Sequence, residues 1–467
     1  MVPRRTHLIA VATAVLVVFG AACSGGDDGG AGRATPDPAT TIAESDGDVL
    51  RDCPPGTDTT GVVPARGAAA DAGLDGTITL AASHPTEGAF ASAAGIASGY
   101  RAYFEAVNEA GGVEVGGRRY AIEVEARNDD GRAARTEENM TARFGPDGTG
   151  AFAAFGLVGT ANVAAVHDDL VGWCVPVVFP VSASAAVSDP ADPWTVGAPL
   201  VLETTEAAAV VAHLAAARPG AKLALLAPVG DDGDRIEAAF RTAVEGTSLS
   251  VVAAQRFPAG VDTDVREEVT VLAASGADVL VDAAVLLSCP AAVRVAEEIG
   301  WAPLTVAVGP CASAGLLGQA GPAADGALAA SNLMDPAAPE WTDHDRVLAY
   351  REGIEAWAAG RDGDAADPDD PMVALGWTMG DLFVRALGAS DLVSRSDVAA
   401  SLTQLSATDV GLVFDGITLS TGEGDHFLGE SARVVRFDAA DRSFSPVSGI
   451  LAFEGGLVVP PALRPGA

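Results

Sequence analysis

Positive charge is scarce in this chain of 467 residues: Lys222 is the only lysine, and 28 Lys and Arg face 63 Asp and Glu, for a formal net charge of −35. A surface so acidic repels nucleic acid and anionic lipid headgroups, and no basic patch reverses it, so no nucleic-acid partner is expected. The standard enzyme signatures are missing too. No G-x-S-x-G, H-E-x-x-H, Walker A loop or strand-anchored G-x-G-x-x-G occurs. There is no C-x2-C pair, the six histidines are scattered, and "RDGDAADPDD", Arg361 to Asp370, lacks the spacing of a calcium loop. Neither a metal nor a cofactor is expected.

What is present begins with an address. Met1 to Ala22, "MVPRRTHLIAVATAVLVVFGAA", carries two arginines, an apolar run and then small residues, the three regions of a secretory signal. The apolar run is about a dozen residues long, too short for a membrane span. Cys23 follows directly. The Gly, Ser, Pro and Asp that come next have almost nothing to bury, so the segment reads as a flexible tether. Further on, hydrophobic residues make up 49% of the chain and charged residues 19%, the balance of a folded protein with sizeable cores. The length allows for roughly two to four domains.

Four cysteines remain once Cys23 is set aside: Cys53, Cys174, Cys289 and Cys311. An even number in an exported chain suggests disulfides, and four cysteines allow three pairings. Cys53 lies upstream of the first strand and Cys174 just before the strand "VPVVFP", so both belong near strand N-terminal ends. Cys289 and Cys311 each follow a strand. Position favours Cys53 with Cys174 and Cys289 with Cys311.

From Thr77 onward, strand and helix alternate. "TITLAAS" precedes a helix from about Ala89 to Ala110, whose Ile96, Tyr100, Phe104 and Val107 share one face and whose end is marked by Gly111 and Gly112. Then come "YAIEVEA", a polar helix, "AFAAFGLV", a helix from about Asn162, and "VPVVFP". The pattern resumes with "KLALLAP", "LSVVAAQRF", "DVLVDAAV" and "LTVAVG". Short apolar strands separated by helices indicate parallel sheets covered on both faces, and there are too many strands for one ordinary sheet. The expected fold is α/β, with two doubly wound parallel-sheet lobes.

Such sheets bind ligands at the carboxyl ends of their strands. "TITLAASHPTEGAF" opens onto that edge with Ser83, His84, Thr86 and Glu87, and His84 is the only histidine in an expected cleft loop. "GLVGTAN", Gly156 to Asn162, and "FPVSASAAV", Phe179 to Val187, reach the same edge. In all three, small or hydroxyl residues precede a helix, leaving backbone N–H groups and hydroxyls for a carboxylate or another anion.

With these segments in order, the chain resembles the type I periplasmic binding proteins, in particular the branched-chain amino acid (Leu/Ile/Val) binding branch that serves ABC transporters. The stretches that carry the likeness are "ITLAASHPTEGAFASAAG", "AYFEAVNEAGGVEVGGRRYAIEVEARND", "GLVGTANVAAV", "CVPVVFPVSASAAVSDPADPWTVG", "GVDTDV", "ASGADVLVDAA" and "LMDPAAPEW". They run from about Thr77 to at least Leu387. In the same way "FGAAC", Phe19 to Cys23, resembles a bacterial lipobox with Gly20 where Leu is preferred, which implies acylation of Cys23.

The resemblance implies two lobes joined by a three-segment hinge, with the chain crossing after "PWTVGAP", near "AASNLMDP" and after about Val410. The expected organisation is a lipoprotein signal peptide over 1–22 and a tether and N-terminal extension over 23–75. Lobe 1 then takes 76–197 and 332–412, and lobe 2 takes 198–331 and 413–467. By the same resemblance Thr86, Glu87, Gly159, Thr160, Ser182, Ala183 and Ser184 of lobe 1 bind the ligand head. Asp232, Ala284 and the "GPC" turn with Pro310 close over it from lobe 2. Two departures argue against a simple branched-chain amino acid: "GDDGDR", Gly230 to Arg235, lacks the family's aromatic, and Cys311 stands where an acidic residue is usual. The function implied is capture, without chemistry, of a small polar organic molecule by a lipoprotein on the outer face of the cell membrane. Its partners are the ligand, an ABC transporter permease and the membrane, through the lipid anchor. A ligand sensor on the same fold is the alternative.

Overall fold

The computed structural model describes residues 57–87, 93–182, 185–258, 264–359, 361 and 366–453. The expected signal peptide, Cys23, Cys53, most of the tether, Ala183 and Ser184 lie outside them, as do most of "GVDTDV" and the centre of the Arg361–Asp370 run. All the described residues fall within one unit, Gly47–Ala467.

The first sheet is built from β1 (Val62–Pro64), β2 (Gly76–His84), β3 (Val113–Val115), β4 (Arg118–Asn128), β5 (Ala153–Phe155), β6 (Val177–Val178) and β7 (Thr195–Val196). Helices α1 (Ala68–Asp71), α2 (Ala94–Glu109), α3 (Ala133–Phe144), α4 (Thr160–Ala164) and α5 (His167–Gly172) connect them. The order is β3-β4-β2-β5-β6-β7, with β4, β2, β5, β6 and β7 parallel and β1 antiparallel to β2. Residues 57–75, placed by the sequence in the N-terminal extension, therefore contribute a strand to this sheet. β2 is central, and eight of its nine residues are buried, which is why it reads as an apolar run rather than an alternating one. Strands β5 and β6 are shorter than "AFAAFGLV" and "VPVVFP" suggest. Gly156 and Phe179, just past their ends, take positive φ of 59° and 52°, and that turns the backbone out of the ladder.

The second sheet repeats the plan. It contains β8 (Lys222–Pro228), β9 (Ser250–Phe257), β10 (Val279–Asp282), β11 (Leu304–Ala307) and β12 (Leu328–Ser331), all parallel in the order β9-β8-β10-β11-β12. Its connecting helices are α6 (Glu203–Ala217), α7 (Asp231–Ala243), α8 (Arg266–Ala274), α9 (Ser288–Glu298) and the short α10 (Ala314–Leu317). The chain then returns to the first sheet, where α11 (Asp345–Ala358) and α12 (Pro371–Ala389) pack on α2 and α13 (Arg395–Leu402) packs on α12. A hairpin of β13 (Ser406–Thr408) and β14 (Thr418–Ser420) follows. Finally β15 (Ser431–Asp438), β16 (Ser443–Pro446) and β17 (Leu451–Ala452) extend the second sheet, with β15 antiparallel to β12.

The segments between the sheets are tied to one another. Asn332 Nδ2 donates to the Pro199 carbonyl (3.0 Å), and the Asn332 carbonyl accepts from Phe414 N (2.9 Å). Met334 N donates to the Leu412 carbonyl (2.8 Å). Gly429 lies so close to Leu200 that a Cβ on it would stand 1.8 Å from the Leu200 carbonyl oxygen.

The second-sheet disulfide expected from position is present, Cys289 to Cys311, with both cysteines fully buried. Cys174 is also disulfide-bonded.

Candidate functional site

Both sheets have the same strand order, in which the chain lays its second strand on one side of the first and its third on the other. The crevice between first and third strands is the topological switch point where α/β sheets bind ligands. In the first sheet that point lies between β2 and β5, and in the second between β8 and β10. The candidate residues occupy matching places. His84, Thr86 and Glu87 follow or end β2, Gly159 and Thr160 follow β5, and Ser182 follows β6. Asp232 follows β8, Ala284 follows β10, and Pro310 follows β11.

A buried carboxylate knits the first-sheet loops together. Asp129, at the end of β4 and fully buried, accepts hydrogen bonds from Ser83 Oγ (3.0 Å), Thr136 Oγ1 (2.9 Å), Asn162 Nδ2 (3.4 Å) and Gly131 N (2.9 Å). Its neighbour Asn128 accepts from Thr86 N (3.1 Å), and Gly159 N donates to the Val181 carbonyl beside Ser182 (2.9 Å). Three loops far apart in sequence thus form one rim. Thr86 and Glu87 are exposed on it, while Gly159, Thr160 and Ser182 are half-buried. His84 is the last residue of β2 rather than a loop residue and is only 3% exposed; burial pulls its imidazole down to about 4, so it is neutral at physiological pH.

The second-sheet loops gather on α6. Glu206, one turn into that helix and buried, accepts the Gly309 N–H with both carboxylate oxygens (3.1 and 3.2 Å). Glu203 accepts from Arg235 Nε (3.2 Å), and Arg235 also pairs with Asp232. Burial, with Glu203 beside it, pushes the Glu206 carboxyl up to about 8 against the pull of the Gly309 N–H. Asp282, at the end of β10 and fully buried, is also pushed up to about 8 by burial, although Ala284 N donates to it (3.2 Å). Ala284 is itself fully buried, whereas Asp232 and Pro310 are exposed.

One stretch of chain, 200–206, joins the two rims. Ser182 lines a small cavity of about 10 Å³ together with Gly197, Leu200, Leu202 and Leu428, and a few residues later Glu203 and Glu206 hold the second-sheet loops. The carboxyl edges of both sheets therefore meet the first crossing segment. A larger groove of about 350 Å³, lined by Arg101, Asn108, Val124, Trp357 and Arg361, contains none of these residues. It runs along the outer side of β4, where Asn108 caps the strand edge by bonding the Ile122 N and carbonyl (2.8 Å each). The switch points, and not that groove, are the candidate site, because among the described residues loops from both sheets converge there.

Sequence reasoning missed Asn128, Asp129, Asn162, Glu203, Glu206 and Arg235. The run "RNDD" straight after an apolar strand was the available signal for the first two. Nothing in the sequence links Glu206 to Gly309, which is 103 residues away.

The buried acids set a pH dependence. Glu206 and Asp282 hold protons in the folded chain that the unfolded chain has released, so between about pH 4.5 and 8 their contribution to stability falls as pH rises. His84 works the other way, adding stability as pH rises from about 4 to 6.5. The two trends oppose each other up to about pH 6.5. Above it the thermal midpoint is expected to fall by a few °C toward pH 8, on the order of 1 kcal/mol or more. Asp282→Asn should flatten that slope in a calorimetric pH series. A parent midpoint constant from pH 6.5 to 8 would contradict the assignment.

Residues 77–442, more than half of the chain, match the family model described as "Periplasmic binding protein". No curated protein sequence matches the chain. Among solved structures it is similar to an ABC transporter substrate-binding protein from Aeropyrum pernix, at 17% identity and a TM-score of 0.69, covering 80% of this chain and 96% of that one. It is also similar to a branched-chain amino acid ABC transporter protein from Thermus thermophilus with bound valine (17%, 0.63, covering 80% and 96%). A third is a solute-binding protein from Rhodopseudomonas palustris BisB5 in complex with 3,4-dihydroxybenzoic acid (14%, 0.65, covering 80% and 97%).

Proposed function

This chain belongs to the periplasmic binding protein family, and from that premise we propose that it captures a small polar organic molecule, an amino acid, amide or carboxylate, between its two lobes and delivers it to an ABC importer. Members of that family bind and do not catalyse. The observation that carries the reading is the convergence of both loop rims on residues 200–206, which lets a ligand held by one rim draw the other toward it about the crossing segments. Lobe 1 over 76–197 and 332–412 and lobe 2 over 198–331 and 413–467 are the bodies that move. Thr86, Thr160 and Ser182 offer hydroxyl and backbone donors to an anionic head, with Gly159 leaving room for it. Ala183 and Ser184 belong to the same loop. Glu87 sits to one side or meets a cationic part of the same molecule, and Asp232 and Pro310 close from the second lobe, with Ala284 contributing backbone beneath them.

The protein works outside the cytoplasmic membrane, held by a lipid on Cys23 and a tether, with the permease as its partner. No helix among the described residues is long and apolar enough to cross a membrane. The similarity to proteins solved with valine and with 3,4-dihydroxybenzoic acid supports a ligand of that size.

Calorimetry on the purified protein tests the site, using whichever compound a thermal-shift screen of amino acids, amides, polyamines and carboxylates returns. Ser182→Ala removes a charge-assisted hydrogen bond and is expected to weaken binding roughly ten- to a hundredfold, about 1.5 to 3 kcal/mol. Unchanged affinity would place the head of the ligand elsewhere.

A further inference from the structure

The groove along β4 borders a strand edge that the fold leaves open. β2 pairs with one side of β4 from Tyr120 to Asn128, whereas β3 covers the other side only over Arg118–Tyr120. Alternate residues of a parallel strand turn both backbone groups to the same neighbour. Asp129 N donates to the His84 carbonyl, so the odd-numbered residues face β2 and Ile122, Val124 and Ala126 face outward. Ile122 is taken: its N–H donates to Asn108 Oδ1 and its carbonyl accepts from Asn108 Nδ2 (2.8 Å each). Among the described residues nothing takes the N–H and carbonyl groups of Val124 and Ala126. A row of donors and acceptors at that spacing is matched by another extended backbone. The side chains divide by face as well. Val124 and Ala126 pack half-buried against the first core, and Glu123, Glu125 and Arg127 are exposed on the opposite face. Glu125 is paired with Arg143 (2.6 Å), while Glu123 and Arg127 have no ion pair among the described residues.

We propose that this edge is the docking surface for a second copy of the chain, whose own β4 pairs with it antiparallel about a two-fold axis at Glu125. In that register Val124 lies opposite Ala126 of the second copy, and the open N–H and carbonyl groups of both residues bond across the axis. Glu123 lies opposite Arg127 of the second copy, and symmetry makes that pair twice. The two Glu125 side chains meet at the axis, each already neutralised by Arg143 of its own chain. Neighbouring registers fail. An axis at Val124 sets Glu123 against Glu125 and calls on Ile122, whose groups Asn108 holds. An axis at Ala126 sets Arg127 against Glu125, which Arg143 already holds, and leaves Glu123 without a partner. Charge therefore selects one register of a self-complementary edge. The groove supplies room for the second strand, about 350 Å³ beside Ile122, Val124 and Trp357. Two chains of charge −35 repel at long range. At physiological salt that repulsion is screened beyond about 8 Å, whereas side chains facing each other across a strand pair stand about 5 Å apart.

Sedimentation velocity on the full protein at physiological salt, over protein concentrations from about 1 μM to about 1 mM, is the test. The parent is expected to pass from one chain to two within that range. Arg127→Glu sets Glu123 against a like charge twice and should weaken the dimer about tenfold or more. The double variant Glu123→Arg, Arg127→Glu should restore it, because it exchanges the two charges and keeps the pairing. Ala126→Pro removes an outward N–H that the single chain does not use, so it should leave the chain monomeric and, by circular dichroism, folded; if it does not fold, the charge exchange decides. A parent that stays monomeric at the highest concentration overturns the second copy and leaves the edge bare or open to a strand of another protein. A dimer that the single reversal does not weaken, or that the double variant does not restore, overturns it as well and places the interface elsewhere.

Discussion

Asp129→Ala is expected to destabilise the protein by about 3 to 5 kcal/mol, because it removes a buried carboxylate that accepts four hydrogen bonds, leaving Ser83 Oγ and Gly131 N without their acceptor and Thr136 and Asn162 with one each, the Arg132 and Val158 carbonyls. Ser83, Thr136 and Asn162 all donate to the same oxygen, Oδ2, and Gly131 N donates to the other. Urea unfolding should show the midpoint moving strongly down. Asp129→Asn keeps the shape and one acceptor, so it should cost less than the alanine variant while still loosening the rim. Because Ser83 lies directly before His84 and Asn162 lies on α4 with Thr160, ligand affinity should fall along with stability in both variants. A midpoint within about 0.5 kcal/mol of the parent for Asp129→Ala, the range of an ordinary surface substitution, would mean that the loops hold themselves.

Gly429→Ala has the second largest expected effect, for a steric reason. The added Cβ would stand 1.8 Å from the Leu200 carbonyl oxygen and 2.4 Å from its carbon. Both are backbone atoms, so no side chain can swing away, and relief requires the first and third crossing segments to separate. The expected cost is about 3 kcal/mol. Leu200 also lines the cavity that Ser182 shares with Leu428, so the separation should reach the binding rim. Small-angle scattering should show the parent contracting when ligand is added and the variant contracting less, with weaker binding by calorimetry. A variant with the stability and contraction of the parent would show that the two segments slide apart freely.

How much of this was legible beforehand depends on the range of the interaction. "TITLAAS", "KLALLAP" and "DVLVDAAV" announced buried strands because burial on both faces leaves no polar position in the run. The loops after them were predictable for the same reason, since a chain that leaves a parallel strand must emerge at its carboxyl edge. The positions of Thr86, Thr160 and Ser182 on that edge follow from the alternation, while Asp232 and Pro310 were implied by the family resemblance. Helix α2 is observed from Ala94 to Glu109, and the earlier start expected at Ala89 falls outside the described residues.

Other features were out of reach. The burial of His84 could not be read from its neighbours, because a histidine at a strand end is covered or bare according to what packs above it. The ends of β5 and β6 were set by left-handed backbone at Gly156 and Phe179; a glycine there is suggestive, but a phenylalanine in that conformation breaks the local preference and gives no warning. "RNDD" could have been read as a rim, yet only the fold brings Asp129 to Ser83 and Asn162.

The sequence by itself determined the class of structure, two alternating halves of strand and helix, and the edge on which any site would lie, because both follow from local burial and chain direction. The tertiary structure alone decided which groups at that edge are free and which are spent. Whether Glu206 holds Gly309 or Arg235 is taken by Glu203 depends on contacts between residues tens of positions apart. Such contacts are fixed by how the chain crosses between its two sheets, and residue periodicity carries no record of that path.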